Sequence, residues 1–230
     1  MRRGRLSLLF LFFVFAGPSG CDFLGFKTWE WRQRLTLHVE TPHGVVSGGS
    51  VVSIEVGSSP NWAPGTGAGG MSGRVAAGEA SFVEIAPGRY LFALLDERIR
   101  HIPYYTFFPA DDKDRERQAT ELETMRGTRE VPRDRWPLLV TFTDIDDPAS
   151  VRKVDPDDLA ASFGPGVALK RITLEITDEK VTKGRVETVL GWWCELRTAR
   201  VRLSGKAGAI SDNDLSNNLG TGSFRVGDCT

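Results

Sequence analysis

Histidine and cysteine are scarce in this chain, three of each among 230 residues. The histidines, His38, His43 and His101, do not fall in the H-E-x-x-H spacing of a zinc-binding helix. No G-x-S-x-G is present, which excludes the nucleophile elbow of an α/β-hydrolase. No Gly-Lys-Ser/Thr follows the glycines, which excludes a P-loop. Neither sign of charge is in excess: 29 Lys and Arg stand against 30 Asp and Glu, where a nucleic-acid binder carries a basic surplus. No internal repeat is evident, so a propeller or solenoid is not expected. Long apolar runs are missing too. The best, Leu6 to Ala16, is apolar at ten of eleven positions, and in helix it spans only about 16 Å, roughly half a bilayer core.

What is present begins with an address. Arg2, Arg3 and Arg5 precede that apolar stretch, and Gly17, Pro18, Ser19 and Gly20 follow it, the pattern of a secretory signal. Ser19-Gly20-Cys21 resembles the lipobox of bacterial lipoproteins, with Pro18 in place of the usual Leu, Val or Ile. The resemblance implies cleavage before Cys21 and acylation of its thiol and new amino group. Two or more acyl chains hold a protein firmly at a bilayer, each buried CH₂ contributing about 0.8 kcal/mol. Asp22 resembles the inner-membrane retention signal of enteric lipoproteins. The expected organisation is a signal peptide at 1–20, a lipid-anchored linker at 21–28 and a β-rich extracytoplasmic domain at 29–230. The mature charge balance is then 26 Lys and Arg against 30 Asp and Glu, since three arginines leave with the signal.

With Cys21 lipidated, Cys194 and Cys229 remain, an even pair suited to a disulfide in an oxidising compartment. Phe224-Arg225-Val226, just before Cys229, is short and apolar enough to add an edge strand.

Periodicity predicts a mainly β domain. Trp29, Trp31, Leu35, Leu37 and Val39 share one face of a strand, with Gln33 the exception, while Glu30, Arg32, Arg34, Thr36, His38 and Glu40 share the other. Thr41-Pro42-His43-Gly44 reads as a turn into a second strand over 51–56. Further strands are expected at 81–85 and 89–95 about Pro87-Gly88, then at 138–143, 169–177 and 200–203. Helix signals are fewer. Asp155-Pro156-Asp157-Asp158 starts a short helix stopped by Gly164, and Asp147-Pro148 starts a single turn. The charged stretch 111–126 reads as a solvated helix or loop. The expectation is an antiparallel β-sandwich-like domain with one or two short helices.

Several motifs point toward chemistry. Gly65, Gly67 and Gly70 match G-x-G-x-x-G, but the following segment is too glycine-rich for the helix that a dinucleotide site needs. No cofactor is implied. Ser150-x-x-Lys153 and Ser211-Asp212-Asn213 look like two motifs of penicillin-binding proteins, without the third, Lys-Thr-Gly. Asp212, Asp214 and Ser216 resemble the start of a calcium loop, but its twelfth position is Ser223 instead of Glu. Tyr104, Tyr105, Phe107 and Phe108, and the pair Trp192-Trp193, are either a ligand platform or core.

From Trp31 to Glu55, and from Val140 through Asp155-Pro156-Asp157-Asp158-Leu159 to Ile176, the chain resembles a group of proteobacterial envelope proteins without an established activity. The resemblance therefore transfers no catalytic residue. The expected function is a membrane-anchored envelope lipoprotein on the periplasmic side, a non-catalytic module binding or scaffolding an envelope protein or polymer. The alternative is a hydrolase of a cell-envelope polymer using paired carboxylates from Asp144, Asp146, Asp155 or Asp157.

Overall fold

The alternating segment builds the central strand. A computed structural model describes residues 25–60, 70–208 and 213–229. In it β1 (Lys27–Thr41) pairs antiparallel with β2 (Gly44–Ser58) through Pro42 and His43, closed by the Thr41–Gly44 pair. Then come β3 (Met71–Glu79), β4 (Ser81–Ala86), β5 (Arg89–Ala93), α1 (Ile102–Phe107), α2 (Arg115–Thr124), β6 (Gly127–Glu130), β7 (Leu139–Phe142) and β8 (Val151–Lys153). The chain closes with α3 (Leu159–Phe163), β9 (Ala168–Ile176), α4 (Arg185–Val189), α5 (Trp193–Ala199), α6 (Leu215–Asn218) and β10 (Arg225–Val226). Two antiparallel sheets result, ordered β10-β3-β2-β1-β9-β6 and β4-β5-β7-β8.

The fold is mainly β, as the periodicity predicts, and the sheets share a core. Trp31, Leu35, Leu37 and Ile54 of the larger sheet pack in one cluster with Val83, Leu91 and Leu139 of the smaller. Gln33, the exception on that face, is fully buried. It accepts from the Trp31 indole at 3.0 Å and donates to the Ile99 carbonyl at 2.9 Å, so neither end of its amide is stranded. The smaller sheet also buries its far face. Phe82, Phe92, Val140 and Phe142 form a second cluster with Val186, Trp192, Trp193 and Phe224. The architecture is thus sheet, sheet and a C-terminal layer of short helices. Burial on both faces explains why Leu91-Phe92-Ala93-Leu94 is continuously apolar.

Glycine lets the two sheets approach at one point. A Cβ on Gly48 would lie 2.0 Å from the Phe82 carbonyl oxygen, so its absence lets β4 cross close over β2. One on Gly49 would lie 2.7 Å from the Leu35 carbonyl oxygen of the paired strand β1, a crowding within the larger sheet.

Several elements depart from expectation. Among the described residues six short α-helices are present where the sequence predicts one or two. Of the added ones, α1, α4 and α5 carry no side-chain cap, so tertiary packing of Ile102, Val186 and Trp193 holds them. The helix expected at Asp155 begins one turn later. Asp155 makes a turn with Asp157 and Asp158, and Asp158 caps α3 by accepting from Ala161 N at 3.1 Å. Residues 200–203 are not a strand. Arg200 ends α5 in the left-handed region (φ 55°) and Arg202 makes an isolated bridge to Gly220. Glycine-rich 71–78, unassigned from sequence, is a strand. Asp147 does cap a single 3-10 turn, by accepting from Ala149 N at 2.9 Å.

Candidate functional site

The most chemically distinctive place is a cleft built by the loop after β5 and the helix it enters. Asp96 organises that loop: its Oδ2 accepts from Leu138 N at 3.0 Å and its Oδ1 from Arg98 N at 2.9 Å. Two successive turns, closed by Ile99 N to Asp96 O and His101 N to Arg98 O, bury Ile99 and Ile102 in the core. They leave Arg98, Arg100 and His101 beside the cleft. The next turn of chain, α1, buries Tyr104 and leaves Tyr105 half-exposed. Arg115, the first residue of α2, lies 4.9 Å from the Tyr104 ring centroid and 5.2 Å from that of Tyr105. Arg135, in the 3-10 turn before β7, stacks on Tyr105 at 3.9 Å.

Two cavities meet at His101. The larger, about 320 Å³, is lined by Glu97, Arg98, Tyr105, Asp134 and Arg135. Its cations are compensated, Arg135 by Asp134 at 2.9 Å and Arg98 by Asp96 at 3.8 Å. The smaller, about 140 Å³, lies between the sheet edge at Val56, Met71 and Gly73 and a wall of Arg100, Tyr104 and Arg115. Here the balance differs. Among the described residues neither Arg100 nor Arg115 pairs with a carboxylate; Arg115 donates to the Gln118 amide at 2.8 Å and Arg100 Nε to His101 Nε2 at 3.0 Å. That bond requires the neutral, Nδ1-protonated imidazole. Partial burial, then repulsion from Arg100 and Arg115, holds the His101 pKa below its ordinary 6.5, with Glu97 pulling the other way. The Tyr104 hydroxyl is buried without a hydrogen-bond partner among the described residues. Burial pushes its pKa up to about 12, with Arg115 opposing. Chemically the cleft offers two guanidiniums without a carboxylate partner among the described residues, a neutral imidazole and aromatic faces, a set that attracts an anion.

The His101 ring should titrate below 6.5 by NMR, and Arg100→Gln should raise the midpoint by removing the nearest repelling charge. A midpoint at or above 6.5 in the unchanged protein would contradict the arrangement.

The residues singled out in the sequence are placed as follows. Cys21, Asp212, Ser211, Gly65 and Gly67 lie outside the described residues. Cys194 and Cys229 come together at disulfide distance, with Cα atoms 5.6 Å apart. Asp214 Oδ1 accepts from the backbone N and the hydroxyl of Ser216, both at 2.9 Å, and so caps α6. The backbone bond from Ser216, then the hydroxyl, holds its carboxyl below the ordinary range. Among the described residues no three His, Cys, Asp or Glu gather as a metal site. Asp144 Oδ1 accepts from Asp146 N, Asp155 Oδ1 from Asp157 N, and Asp157 pairs with Arg133. These four acids line none of the cavities just described. Ser150 Oγ donates to the Asp144 carbonyl at 2.6 Å and staples a turn. Trp192 and Trp193 are core, while the Tyr104–Phe108 run divides, Tyr104 and Phe107 buried and Tyr105 facing the arginines. No helix among the described residues is long and apolar enough to cross a membrane.

No protein-family model, no curated protein and no solved structure matches this chain.

Proposed function

We propose that the protein is a membrane-anchored, extracytoplasmic, non-catalytic binding module that takes an anionic ligand in the arginine–tyrosine cleft. The observation that carries the binding half of this reading is the pair Arg100 and Arg115 beside a small cavity, without carboxylate partners among the described residues. A guanidinium matches a carboxylate or phosphate with two parallel hydrogen bonds, and partial burial strengthens such charge-assisted bonds. The anchoring half rests on the basic start, the apolar stretch and the lipobox-like Ser19-Gly20-Cys21. The Cys194–Cys229 pairing supports an oxidising compartment.

Calorimetric titration with inorganic phosphate tests the cleft: binding by the unchanged protein and its loss in Arg115→Gln are the expected results. Labelled palmitate tests the anchor. Wild-type protein should carry the label and sediment with membranes, and Cys21→Ala should lose the label and the attachment. A wild-type protein without an acyl chain would overturn the anchor and leave the cleft to be judged by the titration.

A further inference from the structure

The smaller cavity stands at the same end of the larger sheet as the start of the mature chain. Lys27 opens β1 opposite Ser58, and Ser58 faces Met71, the first residue of β3. Glu116 ties this corner together, its Oε2 paired with Lys27 Nζ at 2.7 Å and its Oε1 accepting from Ser58 Oγ at 2.7 Å. Arg115 is the residue before Glu116, and Met71 lines the cavity. Cys21 precedes Lys27 by six residues, a reach of at most about 20 Å of extended chain.

From this placement we propose that the cavity between Arg100 and Arg115 is a site for the phosphate of an anionic phospholipid headgroup. The inference rests on the proposed anchor and names the ligand of the same cleft.

Three features of the cavity fit that chemistry. The two guanidiniums supply a positive field without a carboxylate partner among the described residues, whereas the larger cavity carries Glu97 and Asp134. Val56, Met71 and the Tyr104 ring supply an apolar side, suited to the glycerol end of a lipid more than to a free, fully hydrated ion. Gly73 leaves room at the wall of the site: a Cβ there would come to 3.0 Å of Val56 Cγ2, which would have to give by a few tenths of an ångström, and would touch Arg100 Cδ at 3.4 Å. A tether this short also keeps headgroups at high effective concentration, so a modest intrinsic affinity is sufficient. Docking at this corner would hold the domain in one orientation on the bilayer.

His101 provides a built-in reporter. The groups that face it are Glu97, Arg98 and Arg100 from its own loop, Tyr105 from α1, Arg115 from α2, and Asp134 and Arg135 from the 3-10 turn. A phosphate beside Arg100 offsets the repulsion from Arg100 and Arg115 that adds to burial in lowering the His101 pKa, so binding draws a proton onto His101 and tightens as the pH falls.

The experiment uses the full processed chain, titrated with short-chain phosphatidylglycerol, short-chain phosphatidylcholine, glycerol phosphate and inorganic phosphate, and read by the His101 ring resonances. Phosphatidylglycerol should bind at least roughly tenfold tighter than either phosphatidylcholine or glycerol phosphate, the effect of one charge-assisted contact. It should raise the His101 midpoint. Arg100→Gln and Arg115→Gln, checked for folding by circular dichroism, should lose the preference. Arg74→Gln, which removes an exposed arginine paired with Glu55, should keep it. Equal binding of the two lipids, or a preference that survives both substitutions, overturns the proposal. Glycerol phosphate binding as tightly as the lipid assigns the cleft to a free phosphate ligand and overturns the headgroup alone. No response to any of the four overturns the binding reading as well. Palmitate labelling judges the anchor independently.

Discussion

Replacing Arg225 by alanine is expected to cost about 3–5 kcal/mol of folding stability, the loss typical when one partner is removed from a buried ion pair. That is a large share of the 5–15 kcal/mol that usually separates folded from unfolded chains. Arg225 is 4% exposed and sits in β10 directly opposite Glu79 of β3, which is fully buried. Its guanidinium pairs with Glu187 on α4 and lies 5.1 Å from the Trp193 ring centroid on α5. Glu79 Oε2 accepts from the backbone N of Arg185 and of Val186, at 3.2 and 3.3 Å, and so fastens the start of α4 to the sheet. Glu79 Oε1 and Glu187 Oε2 have no hydrogen-bond partner among the described residues, so Arg225, with Arg185 beside Glu79, helps make the charge of buried Glu79 and half-buried Glu187 tolerable. Burial already holds the Glu79 carboxyl above its ordinary 4.5, against the pull of the Val186 and Arg185 amides and of both arginines. A raised acid favours the folded state below the unfolded value and loses that contribution as the pH rises through the folded value. Without Arg225 the Glu79 value climbs further. The deficit of Arg225→Ala against wild type should therefore be largest at neutral pH and shrink toward pH 4–5. Urea melts across that range check it. A deficit below about 1 kcal/mol at pH 7, or one that grows on acidification, would show that the pair is not what holds this layer.

The outline of this arrangement is legible in the sequence only where burial is one-sided. β1 shows its period because one face meets the core and the other meets water, and even Gln33 is explained by two local partners. β3 gives no such signal, since Gly73, Ala76, Ala77 and Gly78 carry almost no side chain to alternate. The C-terminal strand could be anticipated from Phe224-Arg225-Val226, but not that its arginine would be buried. Nothing local marks as its neighbours Glu79, 146 residues back along the chain, and Glu187, 38 residues back. The cleft was hidden for the same reason. Tyr104-Tyr105 was its one visible sign, whereas Arg100, Arg115 and Arg135 come from three separate elements and lie among other charges. Arg115 belongs to the stretch 111–126, which reads as a solvated helix or loop because it is dense in Asp, Glu, Lys and Arg. The fold makes it a capped helix whose Ala119 and Leu122 back the core and whose first arginine covers two tyrosine rings.

Changing Cys229 to serine is expected to be the second large loss, about 2–4 kcal/mol, with the C-terminal end opening first. The sequence separation of Cys194 and Cys229 is 35 residues, and closing a loop of that size contributes roughly 4 kcal/mol on the chain-entropy argument, an upper value where the unfolded chain keeps structure. What the bridge holds can be read from the contacts on either side. Upstream, Ala80 N donates to Phe224 O at 2.7 Å, Leu95 N to Ser223 O at 2.8 Å, and Phe224 is fully buried in the second core. Downstream of Val226, Gly227, Asp228 and Cys229 are exposed, and Asp228 meets Arg197 only at 3.5 Å in an exposed pair. Such a pair contributes little. The last strand has two residues, too few to resist fraying, so the covalent link to α5 is what keeps β10 against β3 and Arg225 over its carboxylates. The two large effects should therefore be coupled. In Cys229→Ser, removing Arg225 as well should cost less than in the bridged protein, because the tail that seats the arginine is already loose. Thiol labelling of the unfolded, unreduced protein decides whether the bridge exists: neither Cys194 nor Cys229 should react until a reductant is added. Labelling of both without reductant would remove the covalent tie, and with it the support it lends to an oxidising compartment.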